Sequence, residues 1–275
     1  MQMTDKTPHG FTLIELIVVV SIISLLSSIV MTSLGDAREK ARMAANMQFD
    51  ANIKHTIGDQ MVGEWLFNEG GTTAIDTSSF NNNGTLFGSP VWSEKSGYDG
   101  KGVYQFNGLN GIAAPLKGVN TNKITFTAWV KGKNSGSQSL IMFAYGPYVN
   151  KTGFWSDGTN QLRAIWSNQS MYADDTKLNM PVDKWTFIAM SVDGSGMTLY
   201  MNDKKYEYSK SRGYLYPPIN FSLIPLKIGG GYGAGWNGYI DNVRIYTSAL
   251  TTAQIEALYA EEIKDHPSEE VIAKK

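Results

Sequence analysis

The chain changes its hydrophobic rhythm twice. From Phe11 to Leu34 it reads FTLIELIVVVSIISLLSSIVMTSL, 24 residues with a single charge at Glu15. A helix of that length spans ~36 Å, enough to cross a hydrocarbon core of ~30 Å. The run is too long for the apolar region of a conventional secretory signal. An acid at the centre of a membrane segment costs ~2.5–3.5 kcal/mol, less near its end, so Glu15 points to a function. Beyond Leu34 the pattern becomes amphipathic: Ala37, Ala41, Ala44, Met47 and Ala51 recur at helical spacing beside a second row of Phe49, Ile53 and Ile57. Asp36 and Lys40 form a favourable i,i+4 pair, while Gly35 costs ~1 kcal/mol of helix propensity at the junction. Residues 11–58 are therefore expected to form one long helix. Ser21, Ser24 and Ser28 form a small-residue row that either admits a neighbouring helix closely or simply faces lipid.

After Gly58 the helical period gives way to short aromatic and β-branched runs separated by Gly, Asn, Ser and Asp. These runs are Glu64–Phe67, Val103–Phe106, Ile124–Val130, Leu140–Tyr145, Leu162–Trp166, Trp185–Val192, Met197–Met201 and Tyr239–Tyr246. Their number and spacing predict an all-β sandwich or jelly roll over residues 62–262. Thr251-Thr252-Ala253-Gln254 has the form of a capping box opening a terminal helix, and residues 263–275 are expected to be a polar, frayed tail.

Composition narrows the chemistry. Charged residues are 18% of the chain, and 24 basic against 25 acidic residues give a net charge of -1, so nothing draws the protein to nucleic acid. The absence of Cys removes disulfides, thiolate-bound zinc and thiol catalysis. His9, His55 and His266 all lie outside residues 62–262, which removes histidine acid–base chemistry and a Ser-His-Asp triad from the head. Paired carboxylates are the remaining catalytic route. The head before its terminal helix holds few Glu residues, namely Glu64, Glu69, Glu94 and Glu207, so no enzyme activity is expected. The glycine-rich stretch Gly229–Trp236 lacks the Gly-Lys-Ser/Thr end of a phosphate loop and reads as a strand connection.

Two resemblances add to this reading. Gly10-Phe11-Thr12-Leu13-Ile14-Glu15, followed by the apolar run, resembles the class III signal of type IV prepilins and type II secretion pseudopilins. The resemblance implies cleavage between Gly10 and Phe11 by a prepilin peptidase, with 1–10 as leader, methylation of Phe11, and pairing of Glu15 with a neighbouring subunit's N-terminal amine. The ordered series Glu64–Phe67, Asn83-Gly84-Thr85-Leu86, Gly102–Gly108, Phe126–Val130, Trp185-Thr186-Phe187, Leu199–Asn202, Ile228-Gly229-Gly230 and Gly238–Tyr246 resembles a laminin-G-type, concanavalin A-like jelly roll. None of the head acids lies in the Glu-x-Asp-x-x-Glu arrangement of related hydrolases.

Calcium is the one cofactor the loops suggest. Asp76, Asn81 and Asn83 offer hard oxygens, and the jelly-roll resemblance adds Asp241; alternatively Asp76 caps its own turn and Asp241 closes an internal hydrogen bond. Tyr148, Trp155, Tyr172, Tyr232 and Trp236 are candidate platforms for a sugar ring or a protein surface, or else core residues. The combined expectation is an all-β head on a long N-terminal α-helix. It would be a minor pilin-like or pseudopilin subunit, first in the bacterial cytoplasmic membrane and then in a filament with other subunits, displaying a lectin-like adhesive head. The alternatives are a membrane-tethered carbohydrate-processing protein and a pseudopilin without ligand.

Overall fold

The structure, a computed structural model, describes residues 12–133, 138–145, 149–166, 171–173, 176–209, 218–230 and 234–266. The chain forms two compact units that divide after Lys54. In the first, helix α1 (Leu13–Gly58, 46 residues) continues past the unit boundary. Its start is closed by a reciprocal cap: the Thr12 N–H and hydroxyl donate to the Glu15 carboxylate at 2.9 and 2.8 Å, and the Glu15 N–H donates to Thr12 Oγ1 at 3.3 Å. The Ser21 and Ser24 hydroxyls donate to the carbonyls of Ile17 and Val20, so both donors are spent inside the helix. Leu13, Ile14, Leu16, Ile17 and Leu25 are exposed. The side chains here are described without a break only from Thr12 to Ser28, and among the described residues no helix is long and apolar enough to cross a membrane.

The second unit is a two-sheet sandwich. In chain order its strands are β1 (Met61–Trp65), β2 (Thr73–Ala74), β3 (Gly84–Phe87), β4 (Val91–Ser93), β5 (Val103–Asn107), β6 (Gly111–Ala114), β7 (Asn120–Thr121), β8 (Ile124–Gly132), β9 (Gln138–Tyr145), β10 (Val149–Ser156), β11 (Leu162–Trp166), β12 (Met171–Ala173), β13 (Thr186–Val192), β14 (Gly196–Met201), β15 (Lys204–Ser209), β16 (Ile219–Asn220), β17 (Leu226–Ile228) and β18 (Asn237–Tyr246), followed by helix α2 (Thr252–Asp265). The first sheet runs β15-β14-β13-β8-β18-β5-β4, with β1 also on β18; the second runs β12-β11-β10-β9-β17-β6-β3-β2. Alternation along each strand sends one face inward, and the facing inner rows fill the core with Phe106, Phe126, Phe154, Trp166, Leu199, Leu226 and Ile240. Such aromatic payloads stabilise a head without disulfides.

Strand β18 is the hinge of the first sheet. Its first half pairs with β5 and its second with β1, while a bulge interrupts its pairing with β8 between Asp241 and Arg244. At the bulge Asn242 adopts φ 46°, and the buried Asp241 carboxylate accepts the N–H groups of Tyr98 (2.7 Å) and Asn242 (2.9 Å). Burial pushes the Asp241 carboxyl up to about 7, against the pull of those two bonds.

Beyond the bulge, Arg244 donates to Glu64 on β1 (2.7 Å) and to Glu262 on α2, and Glu262 also accepts the Trp129 indole N–H of β8 at 2.5 Å. One guanidinium thus ties three elements together. Helix α2 begins with the expected capping box between Thr251 and Gln254. It ends later than the sequence suggests. The helix reaches Asp265, and His266 stacks on Tyr98 (4.5 Å) with Nδ1 2.6 Å from the Tyr98 carbonyl, while Tyr98 stacks on Trp129 at 3.4 Å. The expected tail from 263 and the placement of His266 outside the head are both corrected by this latch.

Candidate functional site

Among the described residues of the sandwich, two regions present side chains to solvent. The first is a cavity of about 370 Å³ on the first sheet, beside the start of α2. Its polar groups are already engaged: Asp193 accepts from Ser195 and Gly196, Ser191 donates to Leu250 O, Tyr200 bonds Thr252, and Glu207 pairs with Lys205. Tyr208 is partly buried against the core.

The second is the outer face of the second sheet. Alternation decides which residues reach it. Leu226 and Ile228 are fully buried, so Lys227 between them points outward; Leu86 packs inward, so Phe87 points outward; Phe154 is core, so Trp155 points outward. Trp155 lies opposite Arg163 on β11 and Ser139 on β9, and Lys227 lies opposite Ala113 on β6. The small residues Gly111 and Ala113 keep the floor low between Phe87 and Lys227; a Cβ on Gly111 would meet the Phe87 ring at 2.7 Å. From β3 to β10 the face crosses four strand spacings, ~19 Å at ~4.8 Å each, the length of an oligosaccharide rather than a single ring.

Arg163 forms a bidentate pair with Asp157, 2.9 Å from Nε and 2.6 Å from Nη2. Burial raises the Asp157 carboxyl, but hydrogen bonds from Thr159, Gln161 and Arg163 together outweigh it and bring it to about 2. It is a fixed carboxylate and cannot serve as a proton donor near neutral pH. Lys227 Nζ sits 4.6 Å from the Phe87 ring centroid, and burial lowers its pKa.

Of the sequence candidates, Trp155 lies half-buried opposite Arg163, with part of its side chain packed against the core. Trp236 does not lie on this face. It is 3% exposed, its indole N–H donates to Tyr239 O, and its ring fills the space that Gly132 leaves open, so it pins the β17–β18 connection to the core. The side chain of Tyr172 and the whole of Tyr148, Tyr232, Gly10 and Phe11 lie outside the described residues. Phe87, Arg163 and Lys227 were missed, although Leu226-Lys227-Ile228 shows the period-2 signature of a strand with one polar face.

Of the calcium candidates, Asp76, Asn83 and Asp241 have internal hydrogen-bond partners. Asp76 Oδ1 accepts the N–H groups of Glu64 and Ser78, and Oδ2 accepts the Ser78 hydroxyl and the Asn82 N–H. Asn83 Oδ1 accepts the Asp76 N–H. Asn81 adopts φ 51° in the same turn, and Asp241 is occupied by a different loop, through Tyr98. Four donors thus satisfy the Asp76 carboxylate, and among the described residues no group of three or more His, Cys, Asp or Glu could hold a metal.

Residues 106–256 match a laminin-G-type family, the concanavalin A-like lectin/glucanases superfamily. The chain belongs to that superfamily. Residues 6–31 match the prokaryotic N-terminal methylation motif, so the lectin-like fold is joined to a prepilin-type N-terminus. No curated protein matches the chain. Similar solved structures include domain 4 of an extracellular arabinanase from Geobacillus stearothermophilus in complex with arabinotriose, 22% identical over 73% of this chain and 98% of that one, with a TM-score of 0.57. The sialidase of Trypanosoma rangeli is 16% identical over 76% of this chain and 34% of its own, with a TM-score of 0.57. The binding domain of Paraclostridial Mosquitocidal Protein 1 is 16% identical over 74% of this chain and 53% of its own, with a TM-score of 0.58. At these identities the likeness is one of superfamily fold.

Proposed function

We propose that this chain is a pilin-like subunit that carries a saccharide-binding, non-catalytic head. The apolar helix from Phe11 inserts in the cytoplasmic membrane, a prepilin peptidase removes residues 1–10, and Glu15 joins the subunit to its neighbours. A head of this size on every subunit would crowd a filament, which favours a minor role. The observation that carries the reading is the junction of a methylation-motif N-terminus with a sandwich whose outer sheet presents Trp155, Phe87, Arg163 and Lys227 together. Aromatic rings stack on the apolar faces of sugars, and fixed charges between them orient hydroxyls. That the similar arabinanase domain was solved with arabinotriose adds weight to a glycan ligand.

Catalysis is disfavoured by the state of the acids. Asp157 is held as a carboxylate by its donors, and Glu64 and Glu262 are both locked to Arg244. The test is a glycan array probed with the detergent-solubilised full chain and with Trp155→Ala. Specific glycan signals that fall at least tenfold in the variant support the reading. Signals unchanged by the variant count against this face.

A further inference from the structure

Lys227 is an unusual residue for the middle of a sheet face. The strands on either side of it place Phe87 on β3 and Trp155 on β10 two strand spacings away in each direction, and its side chain leans towards β3, so the charge lies at the Phe87 end of this face. Its neighbours Leu226 and Ile228 are fully buried on the opposite side of the sheet, and Lys227 is half-buried with its ammonium 4.6 Å from the Phe87 ring centroid. Among the described residues no carboxylate and no hydrogen-bond acceptor lies within bonding distance of Nζ. Arg163, the other described cation of this face, is already neutralised by Asp157. One ring face engages only part of a three-donor ammonium, and a partly desolvated charge without a counter-ion lowers its cost by taking an anion. The same burial lowers the Lys227 pKa, and an anionic partner would reverse that shift.

We propose that Lys227 makes this trough selective for a carboxylate-bearing saccharide, a uronate or sialate unit in an oligosaccharide. Its acid group pairs with Nζ while neighbouring rings of the ligand lie over Phe87 and Trp155. The inference rests on the saccharide reading above and specifies its ligand class. Neutral sugars would leave the ammonium with hydroxyl partners only. A carboxylate gives it a charge-assisted bond worth about twice a neutral one.

The test uses the detergent-solubilised full chain and matched probes that differ only in charge: tetragalacturonate against its methyl ester, and sialyllactose against lactose. Titration calorimetry is run at low and high salt on the wild type, Lys227→Met, Lys227→Arg and Trp155→Ala. Lys227→Met keeps an apolar stem over Phe87, and an unchanged melting temperature verifies that the fold is intact. The expected result is that one acidic probe binds at least tenfold more tightly than its neutral partner. That preference should weaken with salt, vanish in Lys227→Met and persist in Lys227→Arg. Equal binding of charged and neutral partners, unaffected by Lys227→Met, overturns the acidic-ligand proposal while leaving the saccharide face in place. No binding of any probe, on the array or by calorimetry, removes both. A preference retained in Lys227→Met assigns the selectivity to another cation and refutes the role given to Lys227.

Discussion

Replacing Arg244 by Met probes the join between the head's first strand, its central strand and its last helix. Arg244 and Glu64 side chains are each 17% exposed and Glu262 is 9% exposed, so the substitution leaves two largely buried carboxylates without their shared cation. Glu64 keeps the Thr77 hydroxyl at 2.6 Å and Glu262 keeps the Trp129 indole, but neither carries a compensating charge. Breaking such a pair from one side costs ~3–5 kcal/mol. For a unit of this size each kcal/mol moves the melting temperature by ~2–4 °C, so the expected drop is ~6–20 °C. The assay is thermal unfolding followed by tryptophan fluorescence, which reports the seven Trp of the head, Trp129 among them. Combining Arg244→Met with Glu64→Gln and Glu262→Gln should recover most of the loss, because the stranded charges are then gone. A cost below ~1 kcal/mol for the single variant, the range of an exposed ion pair, would refute the assignment of a buried clamp.

Other consequences are equally measurable. The Asp241 carboxyl titrates at about 7 in the folded head against an ordinary value of 3.8, so its contribution to stability is full below ~4 and is lost as pH rises through ~7; Asp241→Asn should flatten the fall in melting temperature between pH 5 and 8, worth on the order of a few kcal/mol. The opposite trend would contradict the burial of this group. Millimolar Ca2+ and a chelator should give the same melting temperature, since the Asp76 oxygens already hold four donors; a rise of several degrees with Ca2+ would reinstate the metal. Glu15→Val should leave membrane insertion intact and abolish incorporation into filaments, measured by comparing membrane and sheared-filament fractions.

The strands richest in aromatic and β-branched residues were legible because alternation and turn signals agree there, as in Ile124–Val130 and Met197–Met201. Strand β10 was not. Its first half, Val149-Asn150-Lys151-Thr152, has no apolar alternation and is held as a strand by β9, while β11 pairs only with its second half from Gly153. Trp236 could be read either as a platform or as core, because its glycine-rich surroundings look like a surface loop. Those glycines let the chain close in on Gly108 and Gly229 and carry the indole into the gap over Gly132. For Asp76 and Asp241 the local donors Ser78, Asn82 and Asn242 belong to the turn each carboxylate caps, whereas Glu64 and Tyr98 reach them through the fold, which no local spacing encodes. The trough itself depends on register: Lys227 and Phe87 are 140 positions apart and meet only because β17 and β3 both pair with β6. The N-terminal motif, by contrast, is a contiguous string, and contiguous chemistry is what a sequence displays best.

Display of the head outside the membrane depends on prepilin processing, and the mass of the mature N-terminal peptide tests that step directly. The chain is purified from membranes or sheared filaments, digested, and its first peptide fragmented by mass spectrometry. The predicted result is a peptide beginning at Phe11 with one methyl group on its α-amine. A first peptide that begins at Met1, or at any residue beyond Phe11, would contradict it.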